Sequence, residues 1–232
     1  MKSILFDLDE TLVDRSETIR RFLLEQYRRF GHLLNVPKDA FVESVISHQK
    51  NGYENKRKAY ELACAELSVA PHFGETLFVD FKGSYGFDAA LFEGVEEVLT
   101  DLSRTYSLAI VTNGRARCQN AKIDCLNIRR YFEVIKISEE FGAKKPDPRI
   151  FESCLEDLGS KASECVCIGD NPDNDLRPAQ ELGMKTIWVR NPNFTIAQRV
   201  DGIVDTVANV SEVIAKLNAE QDVPPKSDRA GG

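Results

Sequence analysis

Apolar residues in this chain follow two different rhythms. Short, mainly apolar runs occur at Ile4-Leu5-Phe6, Leu108-Ala109-Ile110-Val111, Val134-Ile135-Lys136-Ile137, Cys165-Val166-Cys167-Ile168, Thr186-Ile187-Trp188-Val189 and Ile203-Val204. Runs this short and this apolar read as strands buried on both faces. From Phe92 onward they alternate with stretches of helical spacing over residues 94–104, 115–127, 148–158, 176–182 and 210–217. Strands alternating with helices predict an α/β fold with a doubly wound parallel-sheet (Rossmann-like) core. Residues 14–88 carry only the helical rhythm. A first helix is expected over 16–30, through Ile19, Phe22, Leu23, Tyr27 and Phe30, with Gly31 as its terminator. Others are expected over 37–48, 53–67 and 75–82, with breaks at Asn51-Gly52 and Pro71–Gly74. The expected organisation is a core of residues 1–13 and 89–220 with an all-helical cap, 14–88, inserted after the first strand as a lid. Residues 221–232 are expected to form a disordered tail.

Composition narrows the class. The chain has 232 residues, 42% hydrophobic and 29% charged, with a net charge of −7. That balance argues against a general nucleic-acid or anionic-membrane binder. No apolar run approaches a membrane span. Met1 leads directly into the first strand, which leaves no room for a signal peptide, so a cytoplasmic protein is expected. The six cysteines are expected to be reduced, and Cys165 and Cys167 to share one buried sheet face rather than bind zinc. The sequence carries no signal of oligomeric state.

Candidate chemistry sits at the strand ends. Asp7 and Asp9 follow the first strand at i and i+2, so they share a face if the chain stays extended. Two carboxylates that close repel, and burial worsens the repulsion, which calls for a hard divalent cation. Thr112-Asn113-Gly114 follows the second strand and suits an anionic oxygen, although taken alone it reads first as a helix cap. Lys144-Lys145-Pro146-Asp147-Pro148 offers a lysine on restricted backbone, although taken alone the stretch reads first as a solvated charge. Gly169-Asp170-Asn171-Pro172-Asp173-Asn174-Asp175 is a further acidic cluster, or equally a solvated turn. In open α/β sheets, ligands bind at this end of the strands.

Taken in order, D-x-D-x-T, V-T-N-G, K-P-D-P and G-D-x-x-x-x-D resemble the haloacid dehalogenase-like (HAD) hydrolases over residues 1–190. The resemblance implies roles. Asp7 is the nucleophile that forms an aspartyl-phosphate, and Asp9 is the general acid and then the base. Thr112, Asn113 and Lys145 bind the phosphoryl group. Mg²⁺ is the cofactor, held by Asp7, Asp170 and the Asp9 backbone carbonyl. Asp175 and Thr11 support these groups. The activity implied is a Mg²⁺-dependent phosphatase acting on a small phosphorylated metabolite, such as a nucleoside monophosphate or sugar phosphate. Asp9 favours that over a haloacid dehalogenase, since true dehalogenases of this fold lack the second aspartate. A phosphomutase keeps Asp9 and stays open, as does a phosphorylation-dependent binding module. The helical insertion resembles the cap of one HAD subclass. Tyr53, Lys56 and Arg57 are its expected specificity residues, with a solvated helix face as the competing reading.

Overall fold

The computed structural model of the protein describes residues 1–49 and 54–221. The chain divides into two compact units. The first comprises Met1–Leu12, Phe92–Asn113 and the chain from Arg130 on; the second comprises Val13–Leu91 and Gly114–Arg129.

The first unit is built on a six-stranded sheet of β1 (Ser3–Phe6), β2 (Ser107–Thr112), β3 (Val134–Ile137), β4 (Cys165–Gly169), β5 (Lys185–Val189) and β6 (Gly202–Val204). Their order is β3-β2-β1-β4-β5-β6, and every pairing is parallel. The α/β doubly wound expectation therefore describes this unit. Strand β1 lies between β2 and β4, with Phe6 opposite both Ile110 and Ile168. The chain order reverses direction across the sheet at this strand, which is where open sheets of this kind form their ligand crevice. One core cluster gathers Leu5, Ala109, Val111, Ile150, Phe151, Cys154, Cys165 and Cys167. Cys165 and Cys167 thus sit together as buried apolar residues, and all six cysteines are free. Among the described residues, no helix is long and apolar enough to cross a membrane.

The second unit packs α1 (Arg15–Leu34), α2 (Lys38–Gln49), α3 (Lys56–Glu66) and α4 (His72–Ser84) around Phe22, Leu23, Phe41, Val45, Tyr60 and Leu77. Helix α1 starts at Asp14, whose carboxylate accepts from Glu17 N at 2.8 Å. It does not stop at Gly31 as expected. Gly31 lies inside the helix, where a Cβ would come 2.7 Å from the Tyr27 ring, so this glycine serves close packing. The helix ends at Asn35, in the left-handed region at φ 53°. Helix α5 (Val95–Leu102) belongs to the first unit, whereas α6 (Ala116–Cys125), expected with the core, groups with the helical unit. Its contacts explain why: Arg117 donates to Gly83 O at 2.6 Å, Cys125 Sγ to Gly86 O at 3.3 Å, and the Lys122 ammonium lies 5.3 Å from the Tyr85 ring.

The remaining helices of the first unit are α7 (Ser138–Phe141), α8 (Pro148–Asp157), α9 (Arg177–Glu181) and α10 (Val210–Gln221). Gln221 closes α10 instead of opening a tail, and residues 222–232 lie outside the described residues.

Candidate active site

Strand β1 delivers Asp7 one residue beyond its end, and Asp7 N still donates to Ile168 O at 2.9 Å. Asp7 is therefore held by the sheet while its side chain leaves it. The chain then turns at once, with Leu12 N bonding Leu8 O and Glu10 in the left-handed region at φ 62°. Asp9 is half-buried in this turn. Thr11 is fully buried, and its hydroxyl finds no hydrogen-bond partner among the described residues.

Lys145 comes to Asp7 from the loop after α7. Its ammonium donates to Asp7 Oδ1 at 2.6 Å and to Val111 O at 2.8 Å, and it meets Asp175 Oδ1 at 2.6 Å. The residue is 3% exposed. Asn113 fixes its backbone: Asn113 Nδ2 donates to Lys145 O at 3.0 Å, and Lys145 N donates to Asn113 Oδ1 at 2.8 Å. The side chain expected to bind phosphate thus ties the end of β2 to the lysine loop. Thr112, the last residue of β2, is 1% exposed. Asp147 caps α8 through Arg149 N at 3.0 Å, with Pro148 at the first helical position, so K-P-D-P also encodes a helix start.

Asp170 follows β4 directly. The next residues form a π-helical turn, Pro172–Leu176, capped by Asn171, whose Oδ1 accepts from Asp173 N and Asn174 N. This turn brings Asp175 back beneath the strand end, where Asp175 Oδ2 accepts from Asn171 N at 3.0 Å. Gly169 leaves the necessary room: a Cβ there would lie 2.5 Å from Asp175 Oδ2. Asp170 itself is held by two residues that the sequence reading missed. Trp188 Nε1 donates to its carbonyl at 2.9 Å, and Asn191 Nδ2 donates to its Oδ2 at 2.6 Å.

Carboxylate oxygens of Asp7, Asp170 and Asp175 lie within 4.8 Å of one another. Three carboxylates thus face one ammonium. Burial pushes the Asp7 carboxyl up to about 7, against the opposing pull of Lys145. Burial also pushes Asp170 up to about 9, with Asp7 and Asp175 adding to the rise. Lys145 is held above its ordinary range by Asp175 and Asp7, which outweigh its desolvation, and so stays charged. An all-oxygen donor set with excess negative charge fits a hard divalent cation.

In the second unit, Asn55 caps α3 and puts Lys56 and Arg57 in its first turn. Arg57 pairs with Glu75 at 2.7 Å and lies 5.0 Å from the Phe78 ring centroid. Tyr53 lies outside the described residues.

The family profile described as "Haloacid dehalogenase-like hydrolase" matches residues 4–189. N-acylneuraminate-9-phosphatase from Rattus norvegicus is 26% identical over 219 residues, covering 82% of each chain. Glyceraldehyde 3-phosphate phosphatase from Pyrococcus abyssi is 31% identical over 196 residues, also covering 82% of each. Among solved structures, 2-haloacid dehalogenase from Pseudomonas syringae pv. Tomato superposes with a TM-score of 0.63 at 25% identity, over 94% of this chain and 99% of that one.

Proposed function

The chain belongs to the haloacid dehalogenase-like hydrolases and is a phosphoric monoester hydrolase, and we propose that it hydrolyses a small phosphorylated metabolite through an aspartyl-phosphate on Asp7. The observation that carries this reading is the Lys145 ammonium, 2.6 Å from both Asp7 and Asp175, at the end of the strand where the sheet order reverses.

The reaction runs as two displacements. An Asp7 oxygen attacks phosphorus, the bond to the substrate oxygen breaks, and Asp9 gives that oxygen its proton. Water then attacks phosphorus, Asp9 takes the water's proton, and phosphate leaves Asp7 free. Lys145 and the Thr112 hydroxyl offset charge on the phosphoryl oxygens, and Asp175 keeps Lys145 charged and aimed. Asp7, Asp170 and the Asp9 backbone carbonyl are the groups that would hold Mg²⁺. When bound, Mg²⁺ offsets the repulsion between an incoming phosphate dianion and Asp7. The need is physical, since burial already disfavours the ionised Asp7 that must attack.

Asp9 supports the phosphatase reading over dehalogenation, because an alkoxide leaving group needs an acid. The curated relatives support a small sugar-like or triose phosphate as substrate. The helical unit is proposed as the cap that discriminates among substrates, with Tyr53, Lys56 and Arg57 in that role. The exposed pair of Arg57 with Glu75 is of the weak kind that a substrate anion can replace. Six free cysteines support a reducing, cytoplasmic setting.

The test is hydrolysis of an aryl phosphate and of a panel of phosphorylated metabolites, with and without Mg²⁺, ranked by kcat/KM. Turnover that requires Mg²⁺ and is lost in Asp7→Asn is expected. Turnover without added metal in the presence of a chelator would contradict the proposal.

A further inference from the structure

Asn191 lies two residues beyond β5 and is 7% exposed, a buried amide on a chain segment with no motif of its own. Its Nδ2 donates to Asp170 Oδ2 at 2.6 Å. Its Oδ1 accepts from the Asn193 backbone N–H at 3.0 Å and from Asn193 Nδ2 at 2.9 Å. Those two donors settle which end of the amide faces which way: the oxygen must face Asn193, so the NH₂ faces the carboxylate. Asp170 is meanwhile anchored from the same side by the Trp188 indole on its carbonyl. Its backbone and one carboxylate oxygen are therefore both fixed by β5 and the turn after it.

We infer that Asn191 is a positioning residue for the cation site: it locks the Asp170 carboxylate in the rotamer that faces Asp7, and so sets the affinity for Mg²⁺. This rests on the phosphatase reading above, in which Asp170 holds the ion. A carboxylate free to turn about its χ angles must be ordered when the ion binds, whereas one already held by a buried donor need not be. Groups that hold a metal ligand from behind in this way typically change metal affinity by about 10–100-fold when removed. A structural role for Asn191 alone, tethering the turn through Asn193, would change stability but leave the affinity of folded protein for Mg²⁺ as it was.

The experiment is calorimetric titration of the full chain with Mg²⁺ in the absence of substrate, for wild type, Asn191→Ala and Asn191→Leu. Leucine is close to asparagine in size and removes the donor to Asp170 without adding a charge to the site. The expected result is a Kd for Mg²⁺ raised at least about tenfold in both variants. The same variants, assayed at saturating Mg²⁺, should keep the wild-type KM for an aryl phosphate within about threefold. Wild type that binds Mg²⁺ and hydrolyses the aryl phosphate, with folded variants whose Kd is unchanged or tighter, overturns this inference and leaves the phosphatase reading standing. Failure of both variants to fold overturns it too, by making Asn191 structural. Wild type that neither binds Mg²⁺ nor turns over overturns both.

Discussion

The Lys145 ammonium donates to Asp7 Oδ1 at 2.6 Å across 138 residues of chain, with side chains only 3% and 11% exposed. A buried pair of this kind is costly to break from one side, since the partner left behind is an uncompensated charge. Here two carboxylates depend on the same ammonium, Asp7 and Asp175. Lys145→Met, which keeps most of the side-chain volume, should lower unfolding free energy by about 3–5 kcal/mol in the absence of Mg²⁺. Urea denaturation measures it. A loss under about 1 kcal/mol would mean that the lysine is not balancing these charges.

Gly169 should be irreplaceable for a steric reason. A Cβ there would fall 2.5 Å from Asp175 Oδ2 and 2.7 Å from its Cβ, so Asp175 must move. Gly169→Ala is expected to cost about 1–3 kcal/mol and to reduce kcat far more than KM, because Asp175 would no longer hold Lys145. Wild-type kcat in this variant would show that Asp175 does not aim the lysine.

The acidic cluster predicts an unusual pH dependence. Asp7 and Asp170 are raised from 3.8 to about 7 and about 9, so the folded protein holds protons that the unfolded chain releases. The favourable contribution of their protonated forms is complete below about pH 4 and is lost as pH rises through the folded values. Without metal, Tm should therefore fall between pH 5 and pH 8 as far as these groups control it. The rise in Tm on adding Mg²⁺ should grow over the same range, because the ligands must lose protons to bind. Thermal melts at fixed ionic strength, with and without Mg²⁺, test this. A Mg²⁺ increment that shrinks with pH would contradict it.

Discrimination among substrates should respond to the helical unit. Arg57→Ala is expected to reduce kcat/KM for the best natural substrate by about tenfold, roughly 1.4 kcal/mol, while an aryl phosphate loses little. Equal losses on both substrates, or none on either, would assign Arg57 to its surface pair with Glu75 alone.

The inner strands β1, β2, β4 and β5 were legible because parallel strands buried on both faces leave mainly apolar runs, and the edge strands β3 and β6, only partly buried, still lie where shorter or mixed runs occur. The polar residues just beyond them were legible as site candidates for the same reason, since a strand end fixes where its next side chain goes. Much of what escaped depended on contacts distant in sequence. Nothing near Asn191 marks it as a partner of Asp170, 21 residues earlier. Nor does anything near Asn113 mark the Lys145 backbone, 32 residues away, as a partner of its side chain. Gly31 reads as a helix stop because a glycine packed under a tyrosine ring and a glycine that ends a helix look alike in one sequence. Helix α6 carries no local sign that it groups with the helical unit rather than with the strand before it.

The central claim is that Asp7 is phosphorylated during turnover. Wild type and Asp7→Asn should be mixed with a turned-over phosphorylated substrate and Mg²⁺, quenched in acid within one turnover, digested and weighed. The account predicts a mass gain of one phosphoryl group on Asp7 itself in the wild type. It predicts none in Asp7→Asn, whose steady-state rate should fall by at least about a thousandfold. Phosphate released at the wild-type rate by Asp7→Asn, or a phosphoryl group found on another residue, would contradict it.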